Sequence, residues 1–204
     1  MARRVLGDTY GLTLRMSWIH AKGLIRNEGA TLDHLHEAVN TLEEIEPSAR
    51  RVFGGAEPLT MVIERDLQNA RTALAYSECL KDFGEGHANT LVSAHNYASC
   101  LLDLHRVKDA RSLLHKTVPV ARRVLGENDY LTFGLRFMYA KALYQDDSAT
   151  LDDLREAVTT FEDTARTARR VFGSAHPTTE GIQEGLRLAR AALRARETPL
   201  EGRA

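Results

Sequence analysis

Cysteine is nearly absent. The 204 residues contain two, Cys79 and Cys100, too few and too isolated for a disulfide framework or a zinc site. They read as small, reduced core residues. Proline is also scarce, at five residues, so little interrupts helix formation. Neither charge sign dominates: 27 Lys and Arg face 28 Asp and Glu, for a formal charge of −1. A nucleic-acid footprint needs a clear basic excess, so none is expected. No apolar run approaches the roughly 18 residues that span a bilayer. The start, Met-Ala-Arg-Arg, lacks the apolar core of a signal peptide. No nucleophile elbow, phosphate loop or paired catalytic carboxylate is visible. The chain reads as a soluble, cytoplasmic, non-enzymatic protein that needs no cofactor.

What is present is repetition. Arg122-Arg123-Val124-Leu125-Gly126 is followed by Thr132, six residues past its glycine. The pattern recurs at Gly7 with Thr13, Gly54 with Thr60, Gly84 with Thr90 and Gly173 with Thr179. Successive glycines lie 47, 30, 42 and 47 residues apart, a spacing that signals a repeat architecture. Residues 2–74 also align without gaps on residues 121–193, with about half of the positions identical. A larger block has been duplicated in tandem. The expected layout is one array over residues 1–204, with repeats 8–54, 55–84, 85–126 and 127–173 and a capping helix at 174–197.

Within the regular repeats the apolar spacing is helical. In the 42-residue repeat, Leu91, Ala94, Ala98, Leu101 and Leu102 mark a first helix ending near His105. Ala110, Leu113, Leu114, Val118 and Ala121 mark a second, from about Val107 to Gly126, with Pro119 expected to kink it. Each repeat glycine should supply a left-handed residue just past a helix. The 47-residue repeats have first helices at about Thr9–Arg26 and Asn128–Gln145 and a turn five residues longer. Thr31 and Thr150 are natural N-caps for their second helices. Met1–Leu6 reads as the last turn or two of a preceding helix, which suggests a piece of a longer array.

The 30-residue repeat differs. Elsewhere an Ala lies 14 residues after the repeat glycine (Ala21, Ala98, Ala140), and another 16 before the next (Ala38, Ala110, Ala157). Between Gly54 and Gly84 both offsets fall on Gln68. The interhelical turn is missing, so one fused helix is expected at about 58–81, and the stack should bend or split there. After Gly173, a last helix runs from His176-Pro177 to about Arg196, with Arg187, Arg190, Arg194 and Arg196 giving it a polar face. The tail from Glu197 to Ala204 reads as frayed.

These features resemble the tetratricopeptide repeats of the kinesin light chain type, whose 42-residue repeat opens Gly-x-x-His-Pro-x-Thr-Leu. Gly84-Glu85-Gly86-His87-Ala88-Asn89-Thr90-Leu91 and Gly173-Ser174-Ala175-His176-Pro177-Thr178-Thr179 are the best copies. Asp109-Ala110 and Glu156-Ala157 occupy the family's Glu-Ala positions. The resemblance implies an all-α, right-handed α-solenoid of antiparallel helix pairs that binds a partner protein or peptide along its concave face. No heptad segment of the motor-joining kind is present. The family's paired asparagines survive only as Asn96, with Trp18-Ile19 and Phe137-Met138 in their place elsewhere.

Carried over position by position, the groove falls on Arg15, Trp18, Lys22 and Arg26, on His95, Ser99 and Asp103, and on Phe137, Lys141 and Tyr144. Aromatics and arginines are common interface anchors, so an extended or helical peptide with acidic and apolar side chains would fit. The plainer alternative makes the aromatics core residues and the lysines a solvated edge. A second functional reading is an assembly module that contacts neighbours through its ends, motivated by apolar Leu12, Trp18 and Leu24 in the first repeat. An RNA-binding repeat would need a basic channel that this chain lacks. His34 and His36, two apart on a helix, point about 200° apart and cannot chelate together. His87 and His176 should bond backbone at the turns, and the Arg-Arg pairs should neutralise helix C-termini.

Overall fold

The computed structural model describes residues 2–27 and 30–198, with side chains from residue 11 onward. The helices are α1 (Ala2–Arg26), α2 (Leu32–Phe53), α3 (Pro58–Phe83), α4 (Ala88–Asp103), α5 (Val107–Val124), α6 (Tyr130–Gln145), α7 (Leu151–Phe172) and α8 (Pro177–Glu197). Among the described residues there is no strand, and no helix is long and apolar enough to cross a membrane. The fold is the all-α repeat architecture that the spacing predicts.

The fused helix is α3, 26 residues without a turn. Gln68, where the two missing alanines should fall, is exposed on it. The six alanines of the regular repeats (Ala21, Ala38, Ala98, Ala110, Ala140, Ala157) are all fully buried. A methyl side chain at these points lets paired helices approach closely.

The helix ends follow local chemistry. Thr31 accepts from the His34 backbone N–H while the His34 ring accepts from Thr31 N–H. Thr150 and Asp153 make the same reciprocal box. His87 and His176 each cap a helix by accepting from the backbone N–H two residues on, both at 3.2 Å. Their rings stack on Phe83 and Phe172, with centroids 4.6 and 4.8 Å apart. The four glycines at 54, 84, 126 and 173 have positive φ. At Gly54 and Gly173 the conformation is not that of a left-handed helical residue, however. Gly54 has φ 95° and ψ 159°, and Gly173 has φ 88° and ψ 169°. This is the mirror image of extended backbone, open to glycine because it lacks a Cβ. At these two positions the chain leaves the helix extended, instead of continuing into a left-handed turn.

The expected break at Gly7 is absent, because α1 runs continuously from Ala2. In the duplicate, Asp129 stops such continuation by accepting from the backbone N–H groups of Leu131 and Thr132. The aligned residue in the first block is Tyr10, which has no short acceptor to cap a new helix. Residues 2–6 are therefore part of α1 and not the end of a separate preceding helix; Met1 lies outside the described residues. Residues 28–29 of the first lengthened turn, and the tail beyond 198, lie outside the described residues. In the second turn, Asp146 accepts from both the N–H and the hydroxyl of Ser148. These bonds hold its carboxyl below the usual range.

The chain divides into two compact units, Met1–Asp82 and Phe83–Ala204. In the first, α1, α2 and the front half of α3 enclose Leu14, Ala21, Ile25, Leu42, Ile63 and Ala70. In the second, α4 to α8 enclose Leu91, Leu114, Phe133, Leu143, Phe161 and Ile182. Equivalent positions make equivalent bonds inside each unit. Arg71 pairs with Glu43 at 2.7 Å, and Arg190 with Glu162 at 2.6 Å. His20 reaches Glu37 at 2.9 Å, and Tyr139 donates to Glu156 at 2.7 Å from the same position.

The repeat threonines at 60, 90, 132 and 179 are buried, while Thr13 is exposed. The hydroxyls of Thr60, Thr132 and Thr179 have no hydrogen-bond partner. Thr132→Val keeps the shape and removes an unsatisfied polar atom, so it should stabilise by about 1 kcal/mol. Gly173→Ala forces a Cβ onto a glycine-only backbone and should destabilise by about 1–3 kcal/mol. Denaturant unfolding of the two variants measures both, and shifts of the same sign would contradict the assignment.

Candidate partner-binding surface

In the first unit the predicted groove residues lie along α1. Arg15 and Arg26 are exposed, and Trp18 and Lys22 are half-buried. The Trp18 indole N–H donates to Asp66 on α3 at 2.8 Å, and Asp66 is itself buried. The Lys22 ammonium sits 4.6 Å from the Trp18 ring centroid, a cation–π distance. Trp18 therefore has an internal task, tying α1 to α3, and offers only part of its ring to a ligand. One turn of α3 adds exposed Arg65, directly before Asp66. With Arg15, Lys22 and Arg26 it makes this strip cationic.

In the second unit the first helices α4, α6 and α8 are neighbours, with α4 and α8 each packed on α6. His95 and Ser99 are half-buried on α4, and Asp103 is exposed at its end. The His95 ring lies against Gly134 of α6, where an added Cβ would meet its Nε2 at 2.8 Å. Phe137 and Tyr144 on α6 are half-buried against Phe161 of α7, with ring centroids 5.7 and 6.0 Å apart. Burial, with the negative charge of Glu184 on α8, raises the Tyr144 phenol pKa. Lys141 is half-buried between these two rings in sequence. All ten predicted residues are thus on first helices, and they form one strip per unit. Each aromatic among them is anchored in packing as well as partly open.

The repeat offset also reaches residues that the sequence reading passed over. Val92 occupies the position of Arg15, and it is 47% exposed. On α8 the same offset gives Glu184 and Leu188. Glu184 is held in its charged form by Arg187 at 2.5 Å, and Leu188 is exposed. The reading of α8 as a polar terminal cap hid them, although the spacing that found Phe137 would have found both.

Two other charged clusters sit away from these strips. Glu127 bridges Arg122 and the buried Arg136, the latter at 3.0 Å. Burial pushes the Arg136 guanidinium pKa down and the Glu127 charge opposes it. Arg111 pairs with Asp153, next to Tyr139, whose phenol is pushed up by burial and by its bond to Glu156. Both knit neighbouring helices together. Among the described residues, no group of three or more His, Cys, Asp or Glu could hold a metal ion.

Comparison with known proteins agrees with this geometry. The tetratricopeptide repeat family matches residues 90–130, which contain α4 and α5 of the regular 42-residue repeat. Two solved structures share the fold, both of nearly identical TPR-like repeats ascribed to a kinesin light chain of Podosopora anserina. One, a point variant, is 20% identical over 91% of this chain and 88% of its own, with a TM-score of 0.53. The other is 20% identical over 91% and 89%, with a TM-score of 0.51. No curated protein matches the sequence. The chain has a tetratricopeptide-repeat fold, similar to that of these TPR-like repeats.

The Trp18–Asp66 bond gives a direct test. Trp18→Phe leaves a buried carboxylate without its donor and should cost about 1.5–3 kcal/mol. In an Asp66→Ala background the same change should cost much less. A double-mutant cycle by denaturant unfolding reads the coupling, and additivity would show that the bond carries no stability.

Proposed function

We propose that this chain is a protein-interaction scaffold that binds a partner peptide or domain on its first-helix side, the side that the family resemblance makes concave. Tetratricopeptide repeats mediate protein–protein interactions, and residues 90–130 match that family. The observation that carries the reading is the side-by-side placement of α4, α6 and α8. It gathers partly open aromatic, aliphatic and charged groups (Phe137, Tyr144, Leu188, Lys141, His95) on consecutive first helices. Neither helix pairing nor capping uses the Lys141 ammonium. The cationic strip of Arg15, Lys22, Arg26 and Arg65 favours acidic side chains in the partner, and the aromatic edges favour apolar ones. The scaffold works in the cytoplasm without catalysis, in keeping with a sequence that holds only two cysteines.

Selection of a random peptide library on the intact chain tests this. Enriched peptides should combine acidic and apolar residues. Their affinity should fall at least tenfold, on the order of 1.4 kcal/mol, in the Arg15→Glu, Arg26→Glu, Lys141→Glu triple variant, with helical content unchanged. Selected peptides that bind this variant as tightly as the parent would reject the first-helix surface.

A further inference from the structure

The duplicated block places the same helix in two settings. Around α6, Phe133 and Phe137 face α7 through Phe172 and Phe161. The other side of α6 carries Leu131, Leu135, Met138 and Ala142. These four recur at helical spacing and share one face. Gly134 against His95 of α4 marks one edge of that face. Tyr139 beside His115 of α5, with ring centroids 6.1 Å apart, marks the other. The α4–α5 hairpin thus covers it, and Leu135 and Met138 are 0% and 6% exposed.

The positions aligned with these on α1 are Leu12, Met16, Ile19 and Gly23. The opposite side of α1 is buried as in α6, through Leu14, Ala21 and Ile25. Leu12, Met16 and Ile19 are 60%, 63% and 60% exposed. A Cβ built on Gly23 would meet nothing within 4 Å. The apolar character that packing demands on α6 is therefore kept on α1 where no described residue covers it. The last helix behaves differently. On α8 the side turned away from its neighbours carries Glu180, Glu184 and Arg187, all exposed. That is the polar face expected of a helix that closes a stack, and α1 has no such face.

We propose that the Leu12–Met16–Ile19 face of α1 is a docking surface for an amphipathic helical hairpin of another protein, seated as α4 and α5 are seated on α6. The occupant presents two rows of small and branched apolar side chains, of the kind that Leu91, Ala98 and Leu102 form on α4 and Leu114, Val118 and Ala121 form on α5. A contiguous exposed apolar stripe is a feature that solvated helices avoid, and the internal copy states which shape fills it. The surface is separate from the first-helix strip of the proposed function. Lys22 lies roughly 90°, Arg15 roughly 70° and Arg26 roughly 50° around α1 from the centre of the stripe, so the two surfaces border one another, and the charge-reversal and stripe variants test them separately.

The test uses a labelled peptide of residues 88–124, the hairpin that covers the equivalent face, closed by a disulfide engineered between its two helices and established as helical by circular dichroism, then titrated into the intact chain by fluorescence anisotropy. Light scattering runs alongside. Saturable binding is expected, weakened at least tenfold by Met16→Glu with Ile19→Glu and independently by Leu12→Lys. All three positions are exposed, so helical content should not change. Val171→Glu, at an exposed apolar residue of α7 outside both surfaces, should leave binding intact. Absence of binding would overturn the proposal, as would binding indifferent to the stripe variants. A parent chain that forms dimers abolished by those variants, without binding the peptide, would make a second copy the occupant and overturn it too.

Discussion

Close approach of paired helices at alanine is the constraint on which this structure depends. Ala21 and Ala38 lie in the core of the first unit and Ala98, Ala110, Ala140 and Ala157 in that of the second, and none of the six has exposed surface. Any larger side chain would push the pairs apart and open the layers of Leu, Ile and Phe that stack beside them. Where the spacing places no alanine, at Gln68, there is no pair at all, only the single long helix α3. The boundary between the two compact units falls at the end of that same helix. Repeat length, helix pairing and the division of the core all follow from where a methyl group is available.

The duplication separates what the frame demands from what each block is free to change. The Arg–Glu pair across the second and third helices is kept in both blocks, at 2.7 and 2.6 Å. The reciprocal Thr caps are kept too. The contact between first and third helices changes completely. One block uses Trp18 donating to Asp66, while the other packs Phe137 where Gly185 leaves room, an added Cβ there lying 3.3 Å from the ring. A hydrogen-bonded polar pair and a tight apolar contact fill the same place. His20 and Tyr139 show a second such exchange, both reaching the aligned glutamate. The solution changes side-chain chemistry and leaves the backbone frame alone.

Much of the fold was legible in the sequence because helix periodicity and glycine spacing are local signals. The fused helix was expected at 58–81 and lies at Pro58–Phe83. Thr31 and Thr150 cap as their hydroxyls predict, and His87 and His176 bond backbone. The break at Gly7 was misread because a glycine alone does not end a helix. An acceptor must cap the next one, and Tyr10 stands where Asp129 does in the copy. The conformation of Gly54 and Gly173 was read with the right sign of φ and the wrong ψ, since sequence demands a missing Cβ without saying where the chain goes next. The groove positions could be placed on a face by spacing. That Trp18 spends its N–H on Asp66 could not, because the partner is 48 residues away and only the fold brings it near.

The central physical claim is that two copies of one helix are buried differently, α6 on both sides and α1 on one. Hydrogen exchange read by mass spectrometry on the intact chain measures this most directly, because amide protection follows local burial and opening. Amides across residues 131–143 of α6 should exchange far more slowly than the aligned amides across residues 12–24 of α1. Equal protection of the two segments in dilute solution would contradict the account.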